Sequence, residues 1–369
     1  MLVPSLVPPV SSPTANGRIR VLVVDDSVVI RRLISQVLSE DDELEVVGVA
    51  ADGKVALQRI EQLKPDALTL DIEMPEMDGL ETLRHIRKLY PHLRVIMFST
   101  LTERGASVTL EALALGASDY VTKASNAGSL DKSRAALRNE LTPKIKQFFG
   151  RRGAHQLKPP APQVAVVGKP AAPPARRTVT LVPRIVAIGV STGGPNALAA
   201  LVPQFPKRFP LPILIVQHMP PLFTRILADR LNTHSEIKVE EVSDGVHLEP
   251  GKALIAAGGF HMRICKHGES MIAKMDQEPP ENSCRPAVDV TFRSVAEVVG
   301  GAAVAVVLTG MGNDGQRGAA HLRELGAYII AQDEPSSVVW GMPGAVVRAG
   351  LADAVVDLSS VVPEILKKV

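Results

Sequence analysis

Hydrophobic positions along the chain fall into two successive blocks of strand–helix alternation. The first opens with Ile19-Arg20-Val21-Leu22-Val23-Val24, an apolar run that stops at Asp25-Asp26. Ile30, Leu33, Ile34, Val37 and Leu38 follow at the spacing of one buried helical face. Further apolar runs over 44–50, 66–70, 94–99 and 119–122 predict four more strands, with helical stretches between them. The second block begins at 185–188 and predicts strands over 212–217, 253–257, 302–309, 327–331 and 352–356. Its helices are predicted over 197–202, 224–232, 289–299 and 316–325. Alternation of this kind implies parallel sheets with helices on both faces, so the fold class is α/β with two doubly wound domains, flavodoxin-like and then Rossmann-like. Two short runs, 262–265 and 270–274, flank the turn-forming His267-Gly268 and predict a β-hairpin inserted on the second parallel sheet.

Residues 151–183 separate the blocks. They hold seven prolines, six basic residues and no acidic ones, and bury too little apolar surface to offset the entropy of ordering. The expected organisation is a disordered tail over 1–17, a first domain over 18–150, a basic Pro/Ala-rich linker over 151–183 and a second domain over 184–369. The tail is proline-rich and lacks Lys and Arg, unlike a secretory signal.

Composition narrows the class. Aromatic residues are only 3% of the chain while 46% is hydrophobic, so the cores must be aliphatic, as in buried parallel strands. No apolar stretch reaches the roughly 18 residues that span a bilayer. Two cysteines, Cys265 and Cys284, are too few for a disulfide framework or a zinc site. A cytoplasmic location is expected, without membrane insertion. Each predicted domain carries two more acidic than basic residues, which argues against a nucleic-acid partner.

Three carboxylates end strands of the first domain: Asp25, Asp26 and Asp71. Chemistry in a parallel sheet gathers beyond the carboxyl ends of its strands, so the three converge. Such a cluster calls for a hard cation, and Mg²⁺ suits a site of few carboxylates and several waters. Ser99 and Lys123 end two other strands on the same rim. The set resembles the receiver domain of bacterial response regulators over about residues 19–148. The resemblance implies that Asp71 accepts a phosphoryl group and that Asp25, Asp26, Asp71 and the Glu73 carbonyl hold Mg²⁺. It also implies that Lys123 and Ser99 contact the phosphoryl oxygens and that Tyr120 follows as a rotamer switch. Proline commonly follows that lysine in the family, where this chain has Ala124.

In the second domain Gly189-Val190-Ser191-Thr192-Gly193-Gly194-Pro195 directly follows the strand at 185–188. Glycines there permit a tight strand-to-helix turn that exposes the Ser191 hydroxyl, with the helix N-terminus suited to an oxyanion. The same turn could cradle a phosphate, or Ser191 could be a helix cap. His218 and Asp314 lie past the ends of two other strands, so Ser191, His218 and Asp314 can meet as a triad. Their chain order, Ser-His-Asp, differs from that of the α/β-hydrolase fold. N–H groups near Thr192 and Gly193, with that of Met311, would line an oxyanion hole. His261 and His247 are rival histidines, read as surface or structural groups, and no partner arrangement supports Cys284 as a nucleophile.

With these motifs, and with 257–262, 285–292 and Gly341-Met342-Pro343, the second domain resembles the catalytic domain of the chemotaxis protein-glutamate methylesterase (CheB) family. The resemblance implies hydrolysis of glutamyl methyl esters on chemoreceptors to glutamate and methanol, deamidation of receptor glutamine, and no cofactor for the esterase reaction. It further implies a chemotaxis histidine kinase as phosphodonor and an unphosphorylated receiver packed on the catalytic face. Two other classes remain in view: a phosphorylation-gated receptor-binding module without catalysis, and a transcriptional regulator, which the acidic, strand-rich second domain disfavours.

Overall fold

The computed structural model describes residues 17–123, 130–149 and 181–369. The tail expected over 1–17 and the linker expected over 151–183 fall almost wholly outside the described residues, as does Ala124.

The first sheet is built from β1 (Ile19–Val24), β2 (Leu44–Ala50), β3 (Ala67–Asp71), β4 (Arg94–Ser99) and β5 (Asp119–Thr122). Helices α1 (Val28–Ser39), α2 (Gly53–Leu63), α3 (Gly79–Leu89), α4 (Glu103–Ala114) and α5 (Leu130–Lys146) connect and follow the strands. The parallel order is β2-β1-β3-β4-β5. Short polar side chains start the helices: Ser27, Asp52, Asp78 and Thr102 each accept a bond from a first-turn N–H. The chain leaves β1 for β2 on one side and β3 on the other, so the crevice between β1 and β3 is the switch point where ligands bind.

The second sheet contains β6 (Ile185–Val190), β7 (Ile213–Gln217), β8 (Lys238–Glu241), β10 (Lys252–Ile255), β13 (Ala303–Val307), β14 (Tyr328–Gln332) and β15 (Ala354–Val356). A separate three-stranded sheet contains β9 (Val246–His247), β11 (His261–His267) and β12 (Ser270–Asp276). The helices are α6 (Gly194–Leu201), α7 (Phe223–His234), α8 (Val288–Val299), α9 (Gln316–Glu324), α10 (Met342–Arg348) and α11 (Val361–Leu366). The seven strands of the larger sheet run parallel in the order β15-β14-β13-β6-β7-β10-β8. Its switch point lies between β6 and β13.

The hairpin forms, but it does not extend the parallel sheet. Its second strand pairs antiparallel with β9 instead, through Val246 and His247. Strands β8 and β9 and helices α10 and α11 have no counterpart in the predicted elements. Lys-Val-Glu-Glu at β8 buries one side chain of four, and the two helices run only seven and six residues, too short to show a period.

The two domains are packed together. One apolar cluster contains Leu110, Leu113 and Tyr120 of the first and Leu198, Phe223 and Leu227 of the second. Helix α4 lies against α6 and α7. Tyr120 stacks on Phe223, and the Asn196 amide donates to the Leu113 carbonyl at 2.7 Å.

Candidate active site

At the first switch point Asp25 and Asp71 are buried and Asp26 is exposed, with carboxylate oxygens of all three within 4.8 Å of one another. Lys123 Nζ lies 3.1 Å from Asp25 Oδ2 and 2.7 Å from Asp71 Oδ2. Burial pushes the Asp71 pKa up to about 6, against the pull of Lys123. One ammonium cannot balance three carboxylates, so the donor set fits a small oxygen-seeking cation. Ser99 is turned away from this cluster: its hydroxyl donates to the Gly105 carbonyl at 3.1 Å and accepts from Thr109 at 2.7 Å. A cavity of about 580 Å³ opens beside Asp71, lined in part by Glu73, Thr100 and Arg104.

At the second switch point β6 ends in a sharp turn. Gly193 takes the left-handed conformation, φ 79°, that starts α6 immediately after Ser191 and Thr192. The stretch that follows β13 closes over the turn from the other side. There Ser191 N donates to the Thr309 carbonyl at 3.0 Å, and a Cβ on Gly310 would lie 2.7 Å from Ser191 Cβ. Only glycine lets the Leu308–Met311 stretch approach the nucleophile this closely. Among the described residues, the N–H groups of Thr192, Gly193 and Met311 donate to no protein acceptor. These donors adjoin Ser191, two in its own turn and one on the facing Gly310–Met311 stretch.

His218 Nε2 and Asp314 Oδ2 are 2.7 Å apart. Asp314 is buried and also accepts from Val288 N at 2.6 Å and from the N–H groups of Asp289 and Gly315 at 3.0 Å each. Burial opposes both charges of the pair. Asp314 nevertheless holds the His218 pKa well above the ordinary histidine range, and His218 with the backbone donors holds Asp314 below the usual carboxylate range. The Ser191 hydroxyl makes no hydrogen bond to His218. Nε2 faces Asp314, and Cys284 is a second hydrogen-bonding neighbour of the ring.

Several residues with a role here carried no signal in the sequence. Asn282 donates to Asp314 Oδ1 at 2.7 Å. Cys284, expected to lack a partner arrangement, shares a cavity with His218 and favours its charged form. It reaches that place on the 281–289 segment, which has no periodicity from which to read a direction. His261 is buried, with Nε2 facing the Pro279 carbonyl and Nδ1 accepting from Ala287 N, so both ring nitrogens serve the backbone. His247 sits at the edge of the three-stranded sheet, bonded to Ser270. Met219 is buried, whereas Met311 is 37% exposed beside the Ser191 turn.

The first domain walls this site. The cavity that holds His218, about 420 Å³, is lined by Tyr120, Thr122, Glu140 and Lys144 from one side and Met219, Pro220, Pro221 and Cys284 from the other. Thr192, next to the nucleophile, donates its hydroxyl to Asp119 Oδ2 at 3.0 Å. Lys144 lies under the Tyr120 ring, 4.9 Å from its centroid, and bonds the Tyr120 carbonyl at 2.6 Å. Burial works against the Lys144 charge, but Asp119 and Glu140 hold its pKa above the ordinary lysine value.

Comparison with known proteins agrees over nearly the whole chain. The family model for CheB methylesterase matches residues 186–365, and that for the response regulator receiver domain matches residues 21–134. The protein-glutamate methylesterase/protein-glutamine glutaminase of Trichodesmium erythraeum (strain IMS101) is 49% identical over 352 residues, covering 95% of this chain and 99% of its own. The protein of the same description from Nocardioides sp. (strain ATCC BAA-499 / JS614) is 50% identical over 354 residues, 95% of each chain. The crystal structure of the Thermotoga maritima CheB methylesterase catalytic domain superposes with a TM-score of 0.50 at 42% identity, covering 51% of this chain and 99% of that one.

Proposed function

We infer, because this chain belongs to the CheB methylesterase family and is a protein-glutamate methylesterase, that Ser191, His218 and Asp314 carry out the hydrolysis and that Asp71 controls it. The bound His218–Asp314 pair beside the Ser191 turn is the observation that supports this reading most directly. The domain assignment is a receiver over 18–150 and a catalytic domain over 184–369.

His218 takes the proton of Ser191 as its oxygen attacks the ester carbonyl of a methylated receptor glutamate. The carbonyl oxygen, now negative, is met by the free N–H groups of Thr192, Gly193 and Met311. Asp314 holds the imidazolium in place, and the proton passes from His218 to the departing methoxide, releasing methanol. Water then attacks the acyl-enzyme with His218 again as base, freeing glutamate and Ser191. A receptor glutamine follows the same course with ammonia as the leaving group, which corresponds to the second activity in the relatives' description. This reaction uses side chains and backbone donors alone.

At the receiver, Asp25, Asp26, Asp71 and the Glu73 carbonyl would hold Mg²⁺, which supplies positive charge to neutralise the phosphoryl oxygens when bound. Asp71 presents the attacking carboxylate and Lys123 pairs with the transferred group. The phosphodonor is a chemotaxis histidine kinase, and the substrates are chemoreceptors. Among the described residues no helix is long and apolar enough to cross a membrane. The receiver obstructs the catalytic cleft until phosphorylation draws Ser99 towards the phosphoryl group and frees Tyr120 from Phe223, shifting the pair of domains to an open form.

The test is methanol release from methylated receptors with and without a small phosphodonor. Ser191→Ala should abolish release while receptor binding persists, which separates catalysis from a binding-only module. Asp71→Ala should respond to no phosphodonor. Equal rates for wild type and Asp71→Ala under phosphorylating conditions would refute the control and leave the hydrolase standing.

A further inference from the structure

Asp314 receives two side-chain donors. One is His218 on Oδ2, and the other is Asn282 on Oδ1. The same Asn282 amide nitrogen lies 3.0 Å from Asp289 Oδ2, so its two hydrogens serve two buried carboxylates at once. Asp289 is otherwise held by Gly318 N on Oδ1, at 2.7 Å. We propose that Asn282 is a positioning residue of the esterase reaction, bridging Asp314 and Asp289 so that Asp314 keeps one oxygen fixed on His218. The proposal rests on the Ser191–His218–Asp314 reading of the site.

Backbone geometry is built around this contact. Asn282 has φ 51° and Ser283 φ 63°, two successive left-handed residues, a conformation asparagine tolerates better than most side chains. The turn is closed by paired backbone bonds between Glu281 and Cys284, and Glu281 is gripped by Arg293 of α8 at 2.8 and 2.5 Å. Asn282 is nonetheless exposed and lies outside both apolar cores. A surface residue whose amide reaches inward to two carboxylates contributes little to packing. Its effect falls on the orientation and basicity of Asp314.

The charge environment sets the direction of the test. His218 faces Asp314 and Cys284 on its own side and Lys144 and Glu140 across the cleft. Asp314 faces Asp289, with Glu281, Arg293 and Arg317 beyond. Removing the Asn282 donor makes Asp314 more basic, so it grips the His218 proton harder and the neutral base appears only at higher pH.

Asn282→Gly keeps the left-handed backbone and deletes the amide. Measured on the full chain, it should lower kcat for methanol release about 10- to 100-fold, the scale of a misplaced catalytic group, with KM within about twofold. The acid limb of its pH–rate profile should move to higher pH, a shift that a loss of stability alone would not produce. Asn282→Asp, which adds a third carboxylate, should move the limb further in the same direction. A wild-type kcat and profile for Asn282→Gly would overturn the proposal. So would a fall in kcat matched by a lowered thermal midpoint with the limb unmoved, since that marks a structural role. Ser191→Ala in the same assay keeps the outcomes distinct: if it retains activity, the triad reading itself fails, independently of Asn282.

Discussion

Tyr120 of the receiver lies flat on Phe223 of the catalytic domain, ring centroids 5.0 Å apart and planes 7° from parallel. The stack sits three residues from Lys123 on one side and five from His218 on the other, so it joins the two chemistries through short stretches of backbone. Aromatic pairs of this kind contribute about 0.5–1.5 kcal/mol beyond their buried area. Tyr120→Ala should therefore raise methanol release without phosphodonor several-fold, because 1.4 kcal/mol is about a tenfold change in a closed–open equilibrium. An unphosphorylated rate equal to wild type would show that the stack does not hold the domains closed.

Thr192→Val tests the hydrogen bond to Asp119. It preserves side-chain shape and the backbone N–H proposed to face the oxyanion, and removes only the hydroxyl donor. Asp119 Oδ2 keeps Gln147, 3.2 Å away. Loss of a buried hydrogen bond to a charged acceptor costs about 1.5–3 kcal/mol of closure, so basal release should rise by roughly one to two orders of magnitude. The fully phosphorylated rate should change far less. Thr192→Ser, which keeps the hydroxyl, should behave as wild type in both conditions.

The exposed Arg225–Glu103 pair also crosses between the domains, at 2.5 Å, but both side chains are more than half exposed. Glu103→Ala should alter the basal rate by less than about twofold, as exposed ion pairs contribute little. A large rise would mean that closure is electrostatic, and it would then weaken with added salt.

Methanol release should climb as pH rises above neutrality. The base must be neutral, and Asp314 raises the His218 pKa, so the proton leaves above the ordinary histidine range. Asp314→Asn removes that pull, and the acid limb should shift to lower pH while kcat falls by about 10⁴-fold, the scale seen when a triad carboxylate is neutralised. The pair also enters stability. The His218 contribution is fully present below about 6.5, its unfolded value, and is lost as pH climbs through the raised folded value. That of Asp314 is present above about 3.9 and is lost as pH falls through its lowered folded value. Thermal melts from pH 5 to 9 should therefore fall on the alkaline side in wild type and flatten in Asp314→Asn.

Chelating divalent cations should abolish activation by a small phosphodonor and leave basal methanol release unchanged. A loss of basal release on chelation would contradict an esterase built from side chains alone.

The strand ends were the legible part of this chain. Asp25, Asp71, Ser191 and His218 each end or directly follow an aliphatic run, and such runs locate a parallel sheet's active edge without further information. What escaped was set by contacts between distant segments. Asn282, Cys284 and Asp289 reach the site on a segment from 281 to 289 whose direction depends on the hairpin, on α8 and on two left-handed residues. The hairpin itself was visible, but the sheet it joins was not, since a two-residue partner such as β9 leaves no pattern. Asp119 read as an ordinary strand position and Phe223 fell just before a predicted helix, and their roles arise only where the domains meet.

The hydrogen bond from Thr192 to Asp119 gives one residue two duties, since it adjoins the nucleophile and also fastens the cover. On the catalytic side the bond ends at the neighbour of the nucleophile, whereas Asp119, Lys144 and Tyr120 cover the cleft without belonging to the triad. The set-point of the enzyme, the phosphorylation level at which it turns on, is therefore adjustable from the receiver alone. Relatives with different thresholds should differ at those receiver positions while sharing one catalytic rate once fully released.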